Sequence, residues 1–142
     1  MAEVAEVKSG PRPISNGVNG IITQVIGTVI DARFEKGIPD IKNALVWKGK
    51  DRKVVFEVAQ HLGVNRVRAI ALSDTAGLTR GMEVEDTGAP VSVPVGEKSL
   101  GRLFNVLGDA IDGKGDISAE VPRSSIHREA PAFVEQRTKA EV

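Results

Sequence analysis

The chain has 142 residues, 41% apolar and 27% charged, ordinary proportions for a soluble globular protein with room for one domain or a small domain plus part of another. Its 19 basic and 19 acidic side chains cancel, so composition supplies no pull toward nucleic acid or an anionic membrane surface. The absence of cysteine excludes disulfides and thiolate metal sites, and the longest apolar-rich run, residues 21–30, is too short and too interrupted to span a bilayer.

Residues 1–18 are rich in Pro, Gly, Ser and Asn, with Pro11-Arg12-Pro13 and Asn16-Gly17 as breakers, and are expected to form a flexible tail. MAEVAEVKSG carries acidic residues and no hydrophobic block, unlike a secretory signal or a transit peptide. Residues 21–30, IITQVIGTVI, are β-branched at every position but Gln24 and Gly27. Such side chains lose rotamer freedom in a helix and pack well on a pleated surface, so the run predicts one strand, with Gly27 as a bulge or sharp bend. Residues 31–43 are expected to be a loop turning at Gly37-Ile38-Pro39-Asp40.

A short strand follows at residues 44–48, and Gly49-Lys50-Asp51 turns the chain back. Residues 53–59 alternate, with Val54, Phe56 and Val58 on one side and Lys53 and Glu57 on the other. After a turn at residues 62–65 comes a strand over 66–72, its small apolar face made of Val67, Ala69 and Ala71. Residues 73–81 are a long turn, and Met82, Val84 and then Val91, Val93 and Val95 complete the set. About six short strands lie between residues 20 and 95 with no amphipathic helix among them, the spacing of a small barrel or sandwich. Closure is preferred because an exposed edge invites aggregation. Pro90 and Pro94 remove donors from one side of the last strand only, as at a barrel seam or exit.

Past Val95 the period changes. Leu100, Leu103, Phe104 and Leu107 stand at i, i+3, i+4 and i+7, which predicts a short helix capped by Gly96 or Ser99 and ended by Gly108. Residues 109–142 are turns and extended chain that offer little to cover that stripe. A second domain is therefore expected to begin near residue 95 and to be cut off.

The motifs that could carry chemistry are weak. Residues 108–115, GDAIDGKG, fit G-x-x-x-x-G-K but place Gly115 where a phosphate loop needs Ser or Thr, carry Asp109 and Asp112, and follow a predicted helix where a phosphate loop follows a strand. Asp109 and Asp112 read as turn residues before they read as paired catalytic carboxylates. His61 and His127 have no cysteine or nearby second histidine for zinc, and Ser124, Ser125 and His127 come without a nucleophile elbow. Arg66 and Arg68 read as one solvated or interface-facing side of a strand. Catalytic, cofactor-binding and metal-binding residues are accordingly expected to be none. An OB-like barrel binding single-stranded nucleic acid is the alternative, weakened because Phe34, Trp47 and Phe56 are the only aromatics of the barrel region and net charge is zero.

Three runs in order add a more specific signal: GIITQVIGTVIDARFEKGIPDIKNAL at residues 20–45, VAQHLG through GDAID at residues 58–112, and REAPAFVEQ at residues 128–136. Over about residues 18–142 the chain closely resembles the N-terminal part of the β subunits of F-type ATP synthases. The resemblance implies a mainly β fold. It consists of a six-stranded closed barrel over residues 19–95, then the truncated start (short helix, extended segment) of an α/β RecA-like nucleotide-binding domain over residues 96–142, lacking the phosphate loop. It further implies a barrel that assembles alternating α and β subunits into a hexamer and contact of the whole protein with the central-stalk subunit γ and other synthase subunits. ATP, ADP and Mg2+ would be held by the full-length protein and not by this stretch, which alone would be inactive. It also implies ATP synthesis driven by a proton gradient and no nucleic-acid partner. Membrane attachment would come only through the assembled complex, at the cytoplasmic face of a bacterial plasma membrane or a thylakoid or organelle equivalent.

Overall fold

The computed structural model describes residues 18–136. Except for Val18, the tail expected over residues 1–18 lies outside the described residues. Six strands close into an antiparallel barrel: β1 (Asn19–Ile26), β2 (Val29–Phe34), β3 (Asn43–Lys48), β4 (Lys53–His61), β5 (Arg66–Ala71) and β6 (Glu83–Pro90), in the spatial order β1-β2-β5-β4-β3-β6. The pairing of β1 with β6 closes the sheet, so no barrel strand is left with a wholly unpaired edge. β3, β4 and β5 form a meander. The connections from β2 to β3 and from β5 to β6 pass between strands that are not neighbours.

Alternation explains the interior. Ile22, Ile30, Ala32, Phe34, Leu45, Val54, Phe56, Val58, Val67, Ala69 and Val84 are buried and form one cluster, joined by Leu78 from the connection before β6. Each large apolar side chain in this set contributes roughly 1.5–3 kcal/mol on leaving water, as an upper estimate. Six strands make a bore narrower than the eight-stranded barrels whose interiors side chains just fill, so the space is a packed core. Phe34 lies over Gly20, its direct cross-strand partner.

Three expectations about the strands need correction. Residues 21–30 are two strands: Ile26 pairs with Val29 across a two-residue turn in which Gly27 has φ 59°, the positive value a type II′ hairpin requires at its first central position. The β-branched residues on both sides of the turn hide it, and the bulge of β1 falls at Thr23, whose hydroxyl donates to the Asp31 carbonyl at 3.1 Å. Residues 31–34, expected in a loop, therefore belong to β2. The last strand also differs: β7 (Ser92–Pro94) leaves the barrel and pairs only with β8 (Arg123–Ser125) among the described residues. The count of six holds because one expected strand is two and another lies outside the barrel.

The helix predicted over residues 100–107 is absent. A one-turn 3-10 helix, Glu97–Ser99, precedes the stripe. Gly101 then takes φ 69°, and residues 103–111 fold into a small hairpin with a Phe104–Ala110 bridge and an Ile111 N–H to Leu103 carbonyl bond of 2.9 Å. Asn105 holds its turn: its Oδ1 accepts from Leu107 N–H at 3.0 Å and Asp109 N–H at 2.9 Å. Eight residues are too few for a helix to hold without a buried face, and Leu100 and Leu103 are exposed.

Candidate functional site

The barrel interior is filled, so its outer wall is where it can meet a partner. Residues directly opposite one another on neighbouring strands project to the same side. One outward row runs Ile26, Val29, Ile70, Glu57, Ala44 across β1, β2, β5, β4 and β3. Its first part is apolar and open, with Ile26 58% and Ile70 46% exposed. The neighbouring row is polar: Gln24, Asp31, Arg68, Gln60. There Arg68 grips Asp31 by two parallel bonds of 2.8 and 2.9 Å, and that carboxylate hydrogen bond raises the arginine above its already high ordinary value. The Arg66 and Arg68 pair of the sequence is thus split, Arg68 held by a cross-strand acid and Arg66 exposed opposite Arg33.

The other end of the apolar row lies under the chain that follows the barrel. Along β4 the outward residues Lys53, Val55 and Glu57 alternate with the inward Val54, Phe56 and Val58. Lys53 Nζ donates to Asp109 at 3.1 Å. Val55 clusters with Ala44 and Val91, against which Val46, Leu72 and Leu107 pack. Glu57 Oε2 lies 2.6 Å from His127 Nε2. Beside these contacts is a cleft of about 550 Å3 lined by Val46, Lys48, Val55, Leu107, Ile117 and Arg123, among others. Its charges are largely engaged already: Lys48 bonds Glu85 at 2.6 Å, and Arg123 donates to the Ser92 carbonyl at 2.8 Å.

The phosphate-loop near-match is used by its own turn. Arg102 bonds both oxygens of Asp112, at 2.5 and 3.0 Å, and donates to the Gly115 carbonyl at 2.5 Å. Asp112 also accepts from the N–H groups of Leu103 and Lys114. The Arg102 hydrogen bond, helped by those two N–H groups and opposed by desolvation, holds the Asp112 carboxyl far below the usual carboxylate range. A phosphate needs several free N–H donors; here Asp112 takes that of Lys114, Asn105 Oδ1 that of Asp109 and the Leu103 carbonyl that of Ile111. A β-carbon on Gly108 would come within 2.8 Å of Pro94 Cδ and 3.0 Å of Val93 Cα, so this glycine serves the close approach of the hairpin to β7.

The remaining candidates are not brought together. His61 Nε2 sits 2.7 Å from the Pro39 carbonyl on the β2–β3 connection, while His127 faces Glu57. Ser125 Oγ accepts from the His127 backbone N–H at 3.1 Å, while Nε2 of the His127 ring is engaged by Glu57. Among the described residues no group of three or more His, Cys, Asp or Glu is placed to hold a metal ion. Phe34 and Phe56 are buried in the barrel, and Trp47 packs against its core beneath the Arg52 guanidinium, 5.8 Å from the ring centroid. The ties Lys53–Asp109 and Glu57–His127 were not legible in the sequence. The polar face of β4 was visible, but partners 56 and 70 residues away were not.

Residues 22–88 match the family model described as ATP synthase alpha/beta family, beta-barrel domain. The match begins inside β1 and ends inside β6, taking in all six strands of the closed barrel. Over residues 22–88 the barrel is thus similar to the beta-barrel domain of the ATP synthase alpha/beta family.

Proposed function

We propose that this chain is of the catalytic β type of an F-type ATP synthase, and that its barrel joins alternating α and β subunits into a hexamer. The observation that carries the reading is a closed barrel whose interior is filled by its own side chains, within the stretch that matches the family. Such a barrel has no room for a ligand and works through its outer wall, where the Ile26–Val29–Ile70 row is open. The β type is favoured by VAQHLG at residues 58–63, RAIAL at 68–72, GLTRG at 77–81 and DTG at 86–88.

In the whole protein, ATP or ADP and Mg2+ belong to a nucleotide-binding domain of which residues 96–142 are the beginning. The residues present do not fit that role: GDAIDGKG lacks the Ser or Thr for magnesium, and its Asp109, Ile111 and Lys114 N–H groups are bonded within the turn. Contact with γ and with the membrane, at its cytoplasmic or equivalent organelle face, comes through the assembled complex.

The test is to mix the purified chain with a matching α subunit and follow sedimentation. Co-sedimentation is expected, with no magnesium-dependent ATP hydrolysis by the chain alone. Failure to associate, or robust hydrolysis by residues 1–142, overturns the reading. A salt-dependent oligonucleotide titration distinguishes the nucleic-acid barrel, which has lost Phe34 and Phe56 as stacking platforms.

A further inference from the structure

The chain beyond the barrel is held together by its own contacts and joined to the barrel by few. Internally, β7 pairs with β8, Val95 N–H reaches the Pro122 carbonyl at 2.8 Å, Ile126 N–H reaches the Val91 carbonyl at 3.0 Å, and Arg102 clamps Asp112. Across the joint, no backbone hydrogen bond links residues 92–136 to a barrel strand among the described residues. What crosses it is the outward row of β4: Lys53 to Asp109, Val55 in the cluster against which Leu107 packs, and Glu57 to His127.

These ties are weaker in kind than those of the barrel. The Lys53 and Asp109 side chains are 52% and 42% exposed, so water and salt screen their attraction. The cleft of about 550 Å3 lies in the same joint, between Val55 on one side and Leu107 and Ile117 on the other, so the two surfaces meet without filling the space between them. The barrel, by contrast, is closed by six strand pairings around a continuous buried core. Cooperative units of a protein separate where buried apolar contact is sparse.

We propose that residues 92–127 form a strap that undocks from the barrel as one unit while the barrel stays closed, with Lys53, Val55 and Glu57 of β4 as its docking strip. Undocking frees the Glu57 end of the outer row that begins at Ile26 and Ile70, and releases the direction in which the chain leaves β8. The inference rests on the joint and not on the subunit type.

The absence of cysteine makes the test clean, because two introduced thiols carry the only spin labels. Val64, 99% exposed in the β4–β5 turn, and Lys114, exposed in the strap, are replaced by Cys for one pair; Val64 and Lys50 serve as a pair within the barrel. Pulsed dipolar distances on the 142-residue chain are expected to show a docked and a longer component for the first pair. The longer-to-docked ratio should rise about two- to fivefold with Glu57→Gln and again with added Lys53→Gln, as loss first of the Glu57–His127 hydrogen bond and then of a partly exposed ion pair allows. The barrel pair should stay unchanged. An unaltered Val64–Lys114 distribution in the double variant overturns the proposal, as does a matching change in the barrel pair, which would mean that strap and barrel open as one.

Discussion

A β-carbon built on Gly20 would lie 2.5 Å from Cζ of Phe34 and 2.6 Å from Cε1, inside any real carbon–carbon contact. Phe34 is 1% exposed and cannot swing into water without emptying the bore. Gly20→Ala should therefore destabilise the barrel by about 1–3 kcal/mol through overpacking, seen as a lower urea midpoint with an unchanged slope. Asp112 offers a second prediction at this scale. Its folded carboxyl is held below its ordinary value by Arg102, then by the Lys114 and Leu103 N–H groups. The group's contribution is thus fully present above the ordinary carboxylate range and is lost as pH falls through the lowered folded value. Amide exchange at Leu103 and Lys114 should accelerate on acidification below that range, and Arg102→Met should move the onset to higher pH. An onset unmoved by Arg102→Met would remove Arg102 as the cause.

Between single residues and the whole barrel, turns decide the outcome. Leu100, Leu103, Phe104 and Leu107 have helical spacing, yet Gly101 at φ 69° and the Asn105 side chain bend those residues into a hairpin. Asn105→Ala removes the acceptor of two backbone N–H groups and should cost about 1–3 kcal/mol locally, read as faster exchange at Leu107 and Asp109 with the barrel amides unmoved. The strands, in contrast, were legible where one face is buried and the other wet: Val54, Phe56 and Val58 of β4 and Val67 and Ala69 of β5 point inward as their alternation requires. Legibility failed where composition does not change across a turn, as at Gly27-Thr28, and where period alone stood for structure, as at residues 100–107. Gly27 shows what was overlooked: no atom lies within 4 Å of a β-carbon built there, so only its φ of 59° resists substitution. Gly27→Ala should cost on the order of 1 kcal/mol by thermal or urea unfolding.

At the scale of the whole molecule, the filled barrel and its outer wall divide the work. The candidate surface was only half visible in the sequence. Ile26 and Ile70 are ordinary apolar residues of apolar runs, and nothing local says that pairing through Val29 sets them side by side on the outside. Their exposure, 58% and 46%, is what separates them from Ile22 and Ile30, both fully buried. If the barrel joins neighbouring subunits through this wall, a charge placed there should break assembly and spare folding. Ile70→Lys should leave the unfolding free energy of the isolated chain, measured in urea, within about 0.5 kcal/mol, as surface substitutions do. Association with an α subunit should weaken by tenfold or more, as burying an unpaired ammonium costs more than about 1.4 kcal/mol. Val64→Lys, at a 99% exposed turn away from the row, should change neither. Phe56→Ala should do the reverse of Ile70→Lys. It removes a fully buried ring from the core, costs about 3–5 kcal/mol of fold stability, and weakens association only to the extent that the barrel is unfolded. Sedimentation of all three variants beside their unfolding curves separates a surface that assembles from a core that merely supports it. Equal association by the Ile70→Lys and unsubstituted chains would remove this wall from the interface.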